Sequence, residues 1–311
     1  MKNEPLVSIL MNCYNGEKYL TEAIESVLAQ TYQNWEIIFW DNQSTDKSAD
    51  MYKSYNDKRM KYFYAAEHTD LGGARAMAWK FLTGEFIAIL DVDDVWYPSK
   101  LEKQLPLFND PEVGIVVCDT VYFNEKREKP LYNGRYPPTG NVFGELIKNY
   151  FVSLETLVFR RSTALKLARG FDSEFNAISD FDIIARLSLI SKLDVYPEIL
   201  AKWRVHEDSD SWKYPQYFIE EKDRWIRKMI DEQGKIFLEK YSGAINYFID
   251  VNIRSRVIYN IIHKNRILAL KSLINASFVN WHTWALWILW TLPFSDKLLS
   301  YIYKRRFELV S

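Results

Sequence analysis

The sequence of residues 86–96 reads FIAILDVDDVW, and this stretch decides the fold. An uninterrupted apolar run leads directly into three carboxylates, Asp91, Asp93 and Asp94. A short run that is apolar throughout predicts a strand buried on both faces of a parallel sheet. Because a charge is costly inside such a sheet, we expect the carboxylates to follow the end of the strand, at the edge where open α/β sheets bind ligands.

The spacing of Asp91 and Asp93 is typical of two different structures. Two carboxylates at a strand end can converge on a hard divalent cation, Mn²⁺ or Mg²⁺, which often keeps a substrate phosphate among its ligands. They can equally belong to an acidic turn that caps the next helix. This stretch alone favours neither, so the rest of the chain has to decide.

Composition is typical of one large α/β domain with a smaller appendage, because 48% of the 311 residues are hydrophobic. The formal net charge of −1 gives no basic field, so we expect no nucleic-acid partner. Cys13 and Cys118 have no CxxC partner and lie in apolar stretches, which predicts buried thiols in a reducing compartment. The first residues lack the layout of a signal peptide, so we expect a cytoplasmic protein.

Apolar strands alternate with helical patterns over the first hundred residues or so. We predict strands over Val7–Met11, Trp35–Trp40 and Met60–Tyr64 before the strand that starts at Phe86, with helices between them. This alternation is typical of a doubly wound, mostly parallel sheet with flanking helices. The carboxyl ends of the strands should therefore meet at one edge.

Polar side chains follow three of these strands, and together they predict a nucleotide site. Tyr14 and Asn15 follow the first strand, Asp41 the second, and Asp91 and Asp93 the fourth. A tyrosine ring offers a base a stacking face, and an acid or amide offers hydrogen bonds to a base or ribose. The sequence has no glycine-rich phosphate loop, so a metal and side chains would have to meet the phosphate charge.

Three segments resemble the nucleotide-binding half of the family-2 glycosyltransferases: NCYNGEKYLTEAIESVLAQTYQNWEIIFWDNQSTD, GGARAMAW and TGEFIAILDVDDVW. The similarity runs over most of residues 5–105. It implies the GT-A fold, which is Rossmann-like, and a nucleotide-sugar donor, with a UDP-sugar favoured. The chain departs from the family pattern at Asn42 and Gln43, where a second acid and a glycine are common, and at Ala76, where asparagine is usual. These departures bear on the base and the donor pocket.

The resemblance also assigns roles to donor-side residues. It implies that Tyr14 and Asp41 contact the base and ribose of the donor, and that Arg75 lies near the diphosphate or donor sugar. Asp91-Val92-Asp93 corresponds to the DxD motif, with Asp93 as the direct metal ligand and Asp91 beside it.

The acceptor side follows, with predicted strands over Val113–Phe123 and Leu154–Phe159 and a loop over 125–140. Further on, Asp180 precedes an amphipathic helical pattern, where a carboxylate is electrostatically favoured and could simply cap the helix. GFDSEFNAISDFDIIARL, residues 170–187, resembles the acceptor-side motif of the same family. The resemblance implies that Asp180 is the general base.

Three neighbours of Asp180 and one histidine complete the candidate set. Ser179 stands where the family usually has glutamate, and we expect Asp182 and Arg186 to be structural. WRVHEDSDS, residues 203–211, resembles a strand of the family that ends in Arg-x-His. His206 is then a metal or phosphate contact, and an exposed structural histidine is the alternative.

From about Tyr214 the pattern becomes wholly helical. We predict a GT-A domain over 1–212, with a nucleotide-sugar half over 1–110 and an acceptor half over 111–212, and a helical extension over 213–311. Residues 275–294 carry no charged side chain and contain a tryptophan at every third position, namely Trp281, Trp284, Trp287 and Trp290. With the basic residues that follow, this predicts a peripheral membrane contact through 275–306. The alternatives are an aromatic stripe buried against the catalytic domain or a second subunit, and a transmembrane helix.

These features together predict a metal-dependent, inverting glycosyltransferase that acts at the inner face of the cell membrane. Its acceptor would be a glycan or a lipid-linked sugar in the synthesis of surface polysaccharide, lipopolysaccharide or another glycoconjugate, and an oligomer is compatible with the sequence. A non-catalytic nucleotide-sugar-binding or scaffolding protein of the same fold is the alternative. A nucleotidyltransferase would normally carry a glycine-rich basic loop after the first strand, where this chain has residues 12–17 without arginine.

Overall fold

The computed structural model describes residues 4–124, 126–206, 214–274 and 281–310. The chain forms two compact units. The first comprises the described residues up to Leu146 together with Tyr150–Val205, and the second comprises Ile147–Asn149 and the described residues from His206 onward.

The first unit is built on a nine-stranded mixed sheet. Its strands are β1 (Val7–Cys13), β2 (Trp35–Asp41), β3 (Met60–Tyr64), β4 (Phe86–Ile89), β5 (Val95–Trp96), β6 (Val113–Phe123), β7 (Glu128–Pro130), β8 (Val158–Arg160) and β9 (Lys192–Arg204). Their spatial order is β3-β2-β1-β4-β8-β6-β9-β5, and β7 pairs with β6. The predicted α/β class is confirmed.

Strand direction changes in the middle of this sheet. β1 pairs in parallel with both β2 and β4, and β2 pairs in parallel with β3. β8 is antiparallel to β4 and to β6, whereas β9 is parallel to β6. The carboxyl ends of β1, β2 and β4 therefore lie at one edge, as the alternating pattern predicted, and Cys13 is in register with Asp41.

Helices cover the sheet of the first unit, and short 3-10 turns occur at Trp79–Phe81, Leu105–Asn109 and Leu154–Thr156. The α-helices are α1 (Leu20–Leu28), α2 (Ser48–Lys53), α3 (Leu71–Ala78), α4 (Lys100–Gln104), α5 (Phe143–Lys148), α6 (Arg161–Ala164) and α7 (Ser179–Ser188). Every residue of β1, β2 and β4 is buried, and α1 adds its apolar face to the same core. Burial on both faces is why these strands are mostly apolar, and the buried Ser8 and Glu36 hydrogen-bond to each other.

Two predicted elements differ in detail. The strand predicted over Leu154–Phe159 begins as a 3-10 turn and becomes extended only at β8. The turn forms because Glu155 is buried and both of its carboxylate oxygens accept hydrogen bonds from the nearby Ser153 hydroxyl. The loop predicted over 125–140 contains β7, which continues the sheet beside β6. Cys13 and Cys118 are free and buried, as predicted.

The second unit is helical wherever it is described from Pro215 onward, in agreement with the predicted helical extension. Its helices are α8 (Pro215–Ile262), α9 (Arg266–Ile274), α10 (Trp281–Thr291) and α11 (Ser295–Val310). Gly234 interrupts α8 with φ 75° and ψ −165°, a left-handed backbone conformation that glycine adopts without a steric penalty. The core of this unit consists of Val257, Ile261, Ala269, Leu273, Leu286 and Leu299.

Residues 275–294, which carry no charged side chain, include α10 and the residues just before it. In the part of the chain that the structure describes, no helix combines the length and apolarity needed to cross a membrane. Trp287 and Trp290 pack against the core of the second unit, whereas Trp284 is 55% exposed. Residues 275–280 and the side chain of Trp281 lie outside what the structure describes.

Candidate active site

Arg75 connects the strand-end carboxylates to the helix that carries Asp180. Its Nη2 donates to both oxygens of Asp91, at 3.0 and 3.1 Å, and its Nη1 donates to the Ser179 hydroxyl at 2.8 Å. The guanidinium is buried, so this charged bridge is shielded from solvent. Arg75 therefore joins Asp91 to Ser179, the residue before Asp180, and the charge of Asp180 acts on Asp91.

Close packing at the start of α3 holds Arg75 in this position. Asp70 caps the helix by accepting a hydrogen bond from Gly73 N at 2.8 Å, and Leu71 N donates to Asn176 Oδ1 at 2.9 Å. A Cβ atom on Gly72 would lie 2.0 Å from the Phe175 carbonyl oxygen, so only glycine permits this approach. The segment that leads into α7 is thus fixed against α3.

Asp180 is the second residue of α7, where the positive end of the helix dipole favours a carboxylate. Tyr150 Oη donates to Asp180 Oδ2 at 2.8 Å, and the Tyr150 ring packs edge-on against Phe181. The other oxygen, Oδ1, accepts no hydrogen bond from the described residues. Asp180 is half-buried, so one oxygen is held while the other remains available to accept a proton.

The Tyr150 hydroxyl stays a proton donor in this arrangement. Burial raises the pKa of Tyr150 well above its ordinary value, and the negative charge of Asp180 raises it further. The hydrogen bond to Asp180 therefore keeps its direction throughout the physiological pH range.

Asp182 has a different environment although it is only two residues away. It is completely buried and forms an ion pair with Arg186, whose Nε donates to Oδ1 at 2.9 Å. Arg186 also donates to the carbonyl oxygens of Arg169 and Gly170. Burial raises the pKa of Asp182, while Arg186 opposes this shift. These contacts agree with the expected structural role of this pair.

Carboxylates are concentrated where β4 ends. Asp94 is buried and its Oδ1 accepts a hydrogen bond from Arg204 N at 2.9 Å, while Arg204 Nε donates to the carbonyl oxygen of Asp93. Burial raises the pKa of Asp94, and the charges of Asp93 and Glu155 raise it further. Burial likewise raises the pKa of Asp91, although Arg75 opposes the shift. Mutually repelling carboxylates of this kind favour a nearby cation.

The described residues include no group of three or more His, Cys, Asp or Glu side chains that could hold a metal ion. The Asp91 carboxylate is bound by Arg75, and Asp93, half-buried after the same strand, is the metal ligand that the family resemblance implies. Mg²⁺ and similar ions often use one or two carboxylates and complete their shell with substrate phosphates and water, so these residues fit such an ion. His206 is the second residue after β9 and belongs to the second unit, so its contribution stays a prediction.

The loops after β1 and β2 are joined to each other by Asn15. Its backbone has φ 54°, its Oδ1 accepts a hydrogen bond from Thr45 N at 2.8 Å, and its own N–H donates to Ser44 Oγ at 3.1 Å. Asparagine tolerates this left-handed conformation better than most residues. The amide side chain of Asn15 is thus used to shape the edge, and direct donor contact by Asn15 stays a prediction.

Asp41 also serves the architecture of this edge. It is fully buried, its Oδ1 accepts from Ser44 N at 2.7 Å, and its Oδ2 accepts from Tyr62 Oη at 2.6 Å. Burial raises the pKa of Tyr62 and the Asp41 charge raises it further, so Tyr62 remains the donor. Contact between Asp41 and a base or ribose stays a prediction.

Tyr14 is an exposed aromatic group at this edge. It is 53% exposed, and its ring centroid lies 4.4 Å from that of His68. His68 Nδ1 lies 2.8 Å from the carbonyl oxygen of Asn42, which fixes the imidazole beside the β2 loop. A nucleotide base could pack against the face or the edge of the Tyr14 ring and of the His68 ring.

Sequence analysis missed His68 and Tyr150. Each is an unremarkable residue in its own segment, and its importance comes from a contact with a residue distant in the chain. The sequence gives only an indirect indication of these two residues. Asp180 and Tyr14 were candidate site residues, and such residues are expected to contact other side chains.

Comparison with known proteins agrees with this geometry. The family model of glycosyl transferase family 2 matches residues 8–175. An uncharacterized glycosyltransferase of Rickettsia typhi is 33% identical over 65% of this chain and 65% of its own length. The UDP-Glc:alpha-D-GlcNAc-diphosphoundecaprenol beta-1,3-glucosyltransferase WfgD of Escherichia coli is 32% identical over 50% of this chain. The alignment spans 61% of that relative's length.

Solved structures share the fold. The mannosyltransferase PcManGT of Pyrobaculum calidifontis, in complex with GDP-Man and Mn²⁺, superposes with a TM-score of 0.62 at 18% identity. The superposition covers 97% of this chain and 81% of that one. At this identity the likeness concerns the fold, and it confirms the GT-A architecture expected from the sequence.

Proposed function

This chain belongs to glycosyltransferase family 2, and from that membership we propose that it is a metal-dependent, inverting enzyme with a nucleotide-sugar donor and a hydroxyl acceptor. One observation carries the proposal. Arg75 bridges Asp91 at the acidic strand end and Ser179, the residue before Asp180, which supports a single site that uses both carboxylates. A donor diphosphate and an acceptor hydroxyl can then approach each other from opposite sides.

On the donor side, Tyr14 and His68 would bind the base, while the loops held by Asn15 and Asp41 position them. Asp93 would hold a divalent ion, Mn²⁺ or Mg²⁺, with Asp91 beside it. When bound, such an ion neutralises the charge of the diphosphate leaving group. The Mn²⁺ of the Pyrobaculum mannosyltransferase complex supports this part of the proposal. A role for His206 as a further metal or phosphate contact belongs to the same proposal.

On the acceptor side, Asp180 would accept the proton of the attacking hydroxyl through its Oδ1 atom. Tyr150 holds Oδ2 and thereby orients the carboxylate. The acceptor oxygen forms a bond to the anomeric carbon as the bond between that carbon and the diphosphate oxygen breaks. A single displacement of this kind inverts the anomeric configuration.

The donor and acceptor classes follow from the relatives. The name of the E. coli relative specifies UDP-Glc and a diphosphoundecaprenol-linked acceptor, which supports a UDP-sugar donor and a lipid-linked or glycan acceptor here. Synthesis of a surface polysaccharide or similar glycoconjugate at the cytoplasmic face of the membrane fits these substrates. The predicted contact through 275–306 would bring the enzyme to that face. The proposal includes the predicted division of the chain into a nucleotide-sugar half over 1–110, an acceptor half over 111–212 and a helical extension over 213–311.

A screen of nucleotide sugars tests this function. The full chain is incubated with UDP- and GDP-sugars and with Mn²⁺, Mg²⁺ or EDTA, and release of the nucleoside diphosphate is measured with and without lipid-linked acceptors. We expect turnover with one donor, loss of turnover in EDTA, and loss in Asp93→Ala. Donor binding without turnover under any condition would instead support the non-catalytic alternative.

A further inference from the structure

The two last helices expose a set of large apolar side chains on their outer faces. We call this set the outer stripe. It consists of Trp284, Ile288, Phe294, Leu298, Tyr301 and Ile302, each at least 46% exposed. Spacings of three or four residues place Trp284 and Ile288 along one side of α10, and Leu298, Tyr301 and Ile302 along one side of α11. Phe294 immediately precedes α11. Exposed apolar patches of this kind indicate an interaction surface.

The inner faces of both helices are already used. Leu286 on α10 and Leu299 on α11 belong to the same core cluster, together with Val257 and Leu273 of α8 and α9. Because both inner faces pack into one cluster, both outer faces point away from it. The residues of the outer stripe therefore keep about half or more of their surface exposed to solvent while the inner faces form the core.

The tryptophans themselves divide between the two faces. Trp290 Nε1 donates to the carbonyl oxygen of Arg266 at 3.0 Å, so this residue fastens α10 to α9. Trp287 also packs against the core, whereas Trp284 belongs to the outer stripe. The surface available to a partner is thus defined by aliphatic and aromatic residues of both helices, and only in part by the tryptophan repeat.

Charge distinguishes between the possible partners. Lys297 is exposed within the stripe, and its Nζ lies 5.6 Å from the centroid of the Phe294 ring. The sequence of α11 adds Lys304, Arg305 and Arg306 against Asp296 and Glu308, whereas α10 carries no charged residue. The exposed Lys297 gives the described part of this surface a positive charge, and the sequence of α11 is net positive. An anionic surface complements it.

We propose that the outer stripe docks the protein on an anionic lipid bilayer, with α10 and α11 lying in the plane of the interface. Exposed Trp284 and Tyr301 suit the depth of the head groups, Ile288 and Leu298 would reach the acyl boundary, and Lys297 would contact lipid phosphates. This inference deepens the proposed membrane contact by naming the face and the lipid class. It rests on that part of the proposed function.

Vesicle binding tests the inference without any substrate, so its failure is separable from a failure of sugar transfer. The full chain is mixed with vesicles of phosphatidylcholine alone or with added phosphatidylglycerol, and the bound fraction is measured by flotation. We expect binding to the anionic vesicles, weakening with salt, and a loss of at least about tenfold in Ile288→Glu/Leu298→Glu. Lys297→Gln should weaken binding about fivefold.

The matched control is Ile236→Glu on α8, because Ile236 is 81% exposed and lies outside the stripe. This variant should bind vesicles like the wild type, and circular dichroism should be the same for all variants. Equal binding to neutral vesicles, no binding to either vesicle, or unchanged binding of the double variant would each overturn the proposal. A wild-type dimer in gel filtration that the double variant loses, without vesicle binding, would identify a second copy as the partner instead.

Discussion

The Oη atom of Tyr150 lies 2.8 Å from Oδ2 of Asp180 and donates a hydrogen bond to it. Tyr150 comes from the segment after α5 and Asp180 from the start of α7, so two separate parts of the chain fix one carboxylate. In the proposed reaction, Oδ1 is then the oxygen that would accept the proton. Orientation of the base is therefore a property of the fold and can be measured.

Replacing Tyr150 by phenylalanine should lower kcat about tenfold, because the carboxylate loses its fixed orientation and small misplacements are costly in catalysis. The KM for the donor should change less than kcat, since the Tyr150 hydroxyl donates its hydrogen bond to Asp180 on the acceptor side. Tyr136→Phe is the matched control, because its hydroxyl donates to the Pro197 carbonyl oxygen elsewhere in the same unit. A change in donor KM equal to the change in kcat would contradict a role in positioning.

Asp180→Asn should lower the activity of the enzyme, whereas Asp182→Asn should lower its stability. The first variant should lose about 10²- to 10⁴-fold in kcat, the range expected for removal of a general base, and should keep its thermal stability. The second breaks a buried ion pair with Arg186 and should lower the free energy of unfolding by about 3–5 kcal/mol. Steady-state kinetics and urea unfolding of both variants separate these outcomes. Full activity in Asp180→Asn would remove it as the base.

Tyr14→Ala should weaken donor binding because a base loses its stacking partner. Stacking of a base on an aromatic ring contributes about 1–3 kcal/mol, so the Kd of the nucleoside diphosphate should rise about 5- to 100-fold. Calorimetric titration with UDP and GDP measures this. Tyr217→Ala, at a residue of comparable exposure in the second unit, should leave the Kd unchanged. An unchanged Kd in Tyr14→Ala would show that the base binds elsewhere.

Glu155 should make stability depend on pH. Burial raises the pKa of Glu155 above its ordinary value of 4.5, so the folded protein binds this proton more tightly than the unfolded chain does. The protonated carboxyl group of Glu155 contributes its full stabilisation below about pH 4.5. This stabilisation is lost as the pH rises through the raised pKa of Glu155 in the folded protein. Glu155→Gln can still accept the Ser153 hydrogen bond but has no charge to bury.

The variant should therefore gain stability relative to the wild type as the pH rises above about 4.5, measured by urea unfolding at a series of pH values. The difference between the two proteins isolates Glu155 from other titrating groups. A difference that is constant with pH would mean that Glu155 titrates normally in the folded protein.

Much of the donor side was accessible from the sequence because local patterns determine it. Strands buried on both faces are mostly apolar, so β1, β2 and β4 could be located, and parallel pairing then brought their polar ends together. The position of Asp180 at a helix start followed from the amphipathic pattern after it.

Contacts between distant segments could not be read in this way. Nothing in the local sequence of Tyr150 or Ser179 reveals that one binds Asp180 and the other Arg75. The tail shows a second limit, because α10 is apolar on nearly all sides. Its periodicity cannot tell which tryptophans face inward, and the packing of α10 against α8 and α9 decides that Trp287 and Trp290 do.

Three contacts join α3 to the segment around α7: Leu71 with Asn176, Gly72 with Phe175, and Arg75 with Ser179. The first and last of these pairs are separated by 105 and 104 positions in the chain. During translation the N-terminal strands emerge well before α7, but Arg75 meets Ser179 only after that residue has left the ribosome. Catalytic competence should consequently arise in one late step of synthesis, and a nascent chain that ends before α7 should have neither base nor closed cleft.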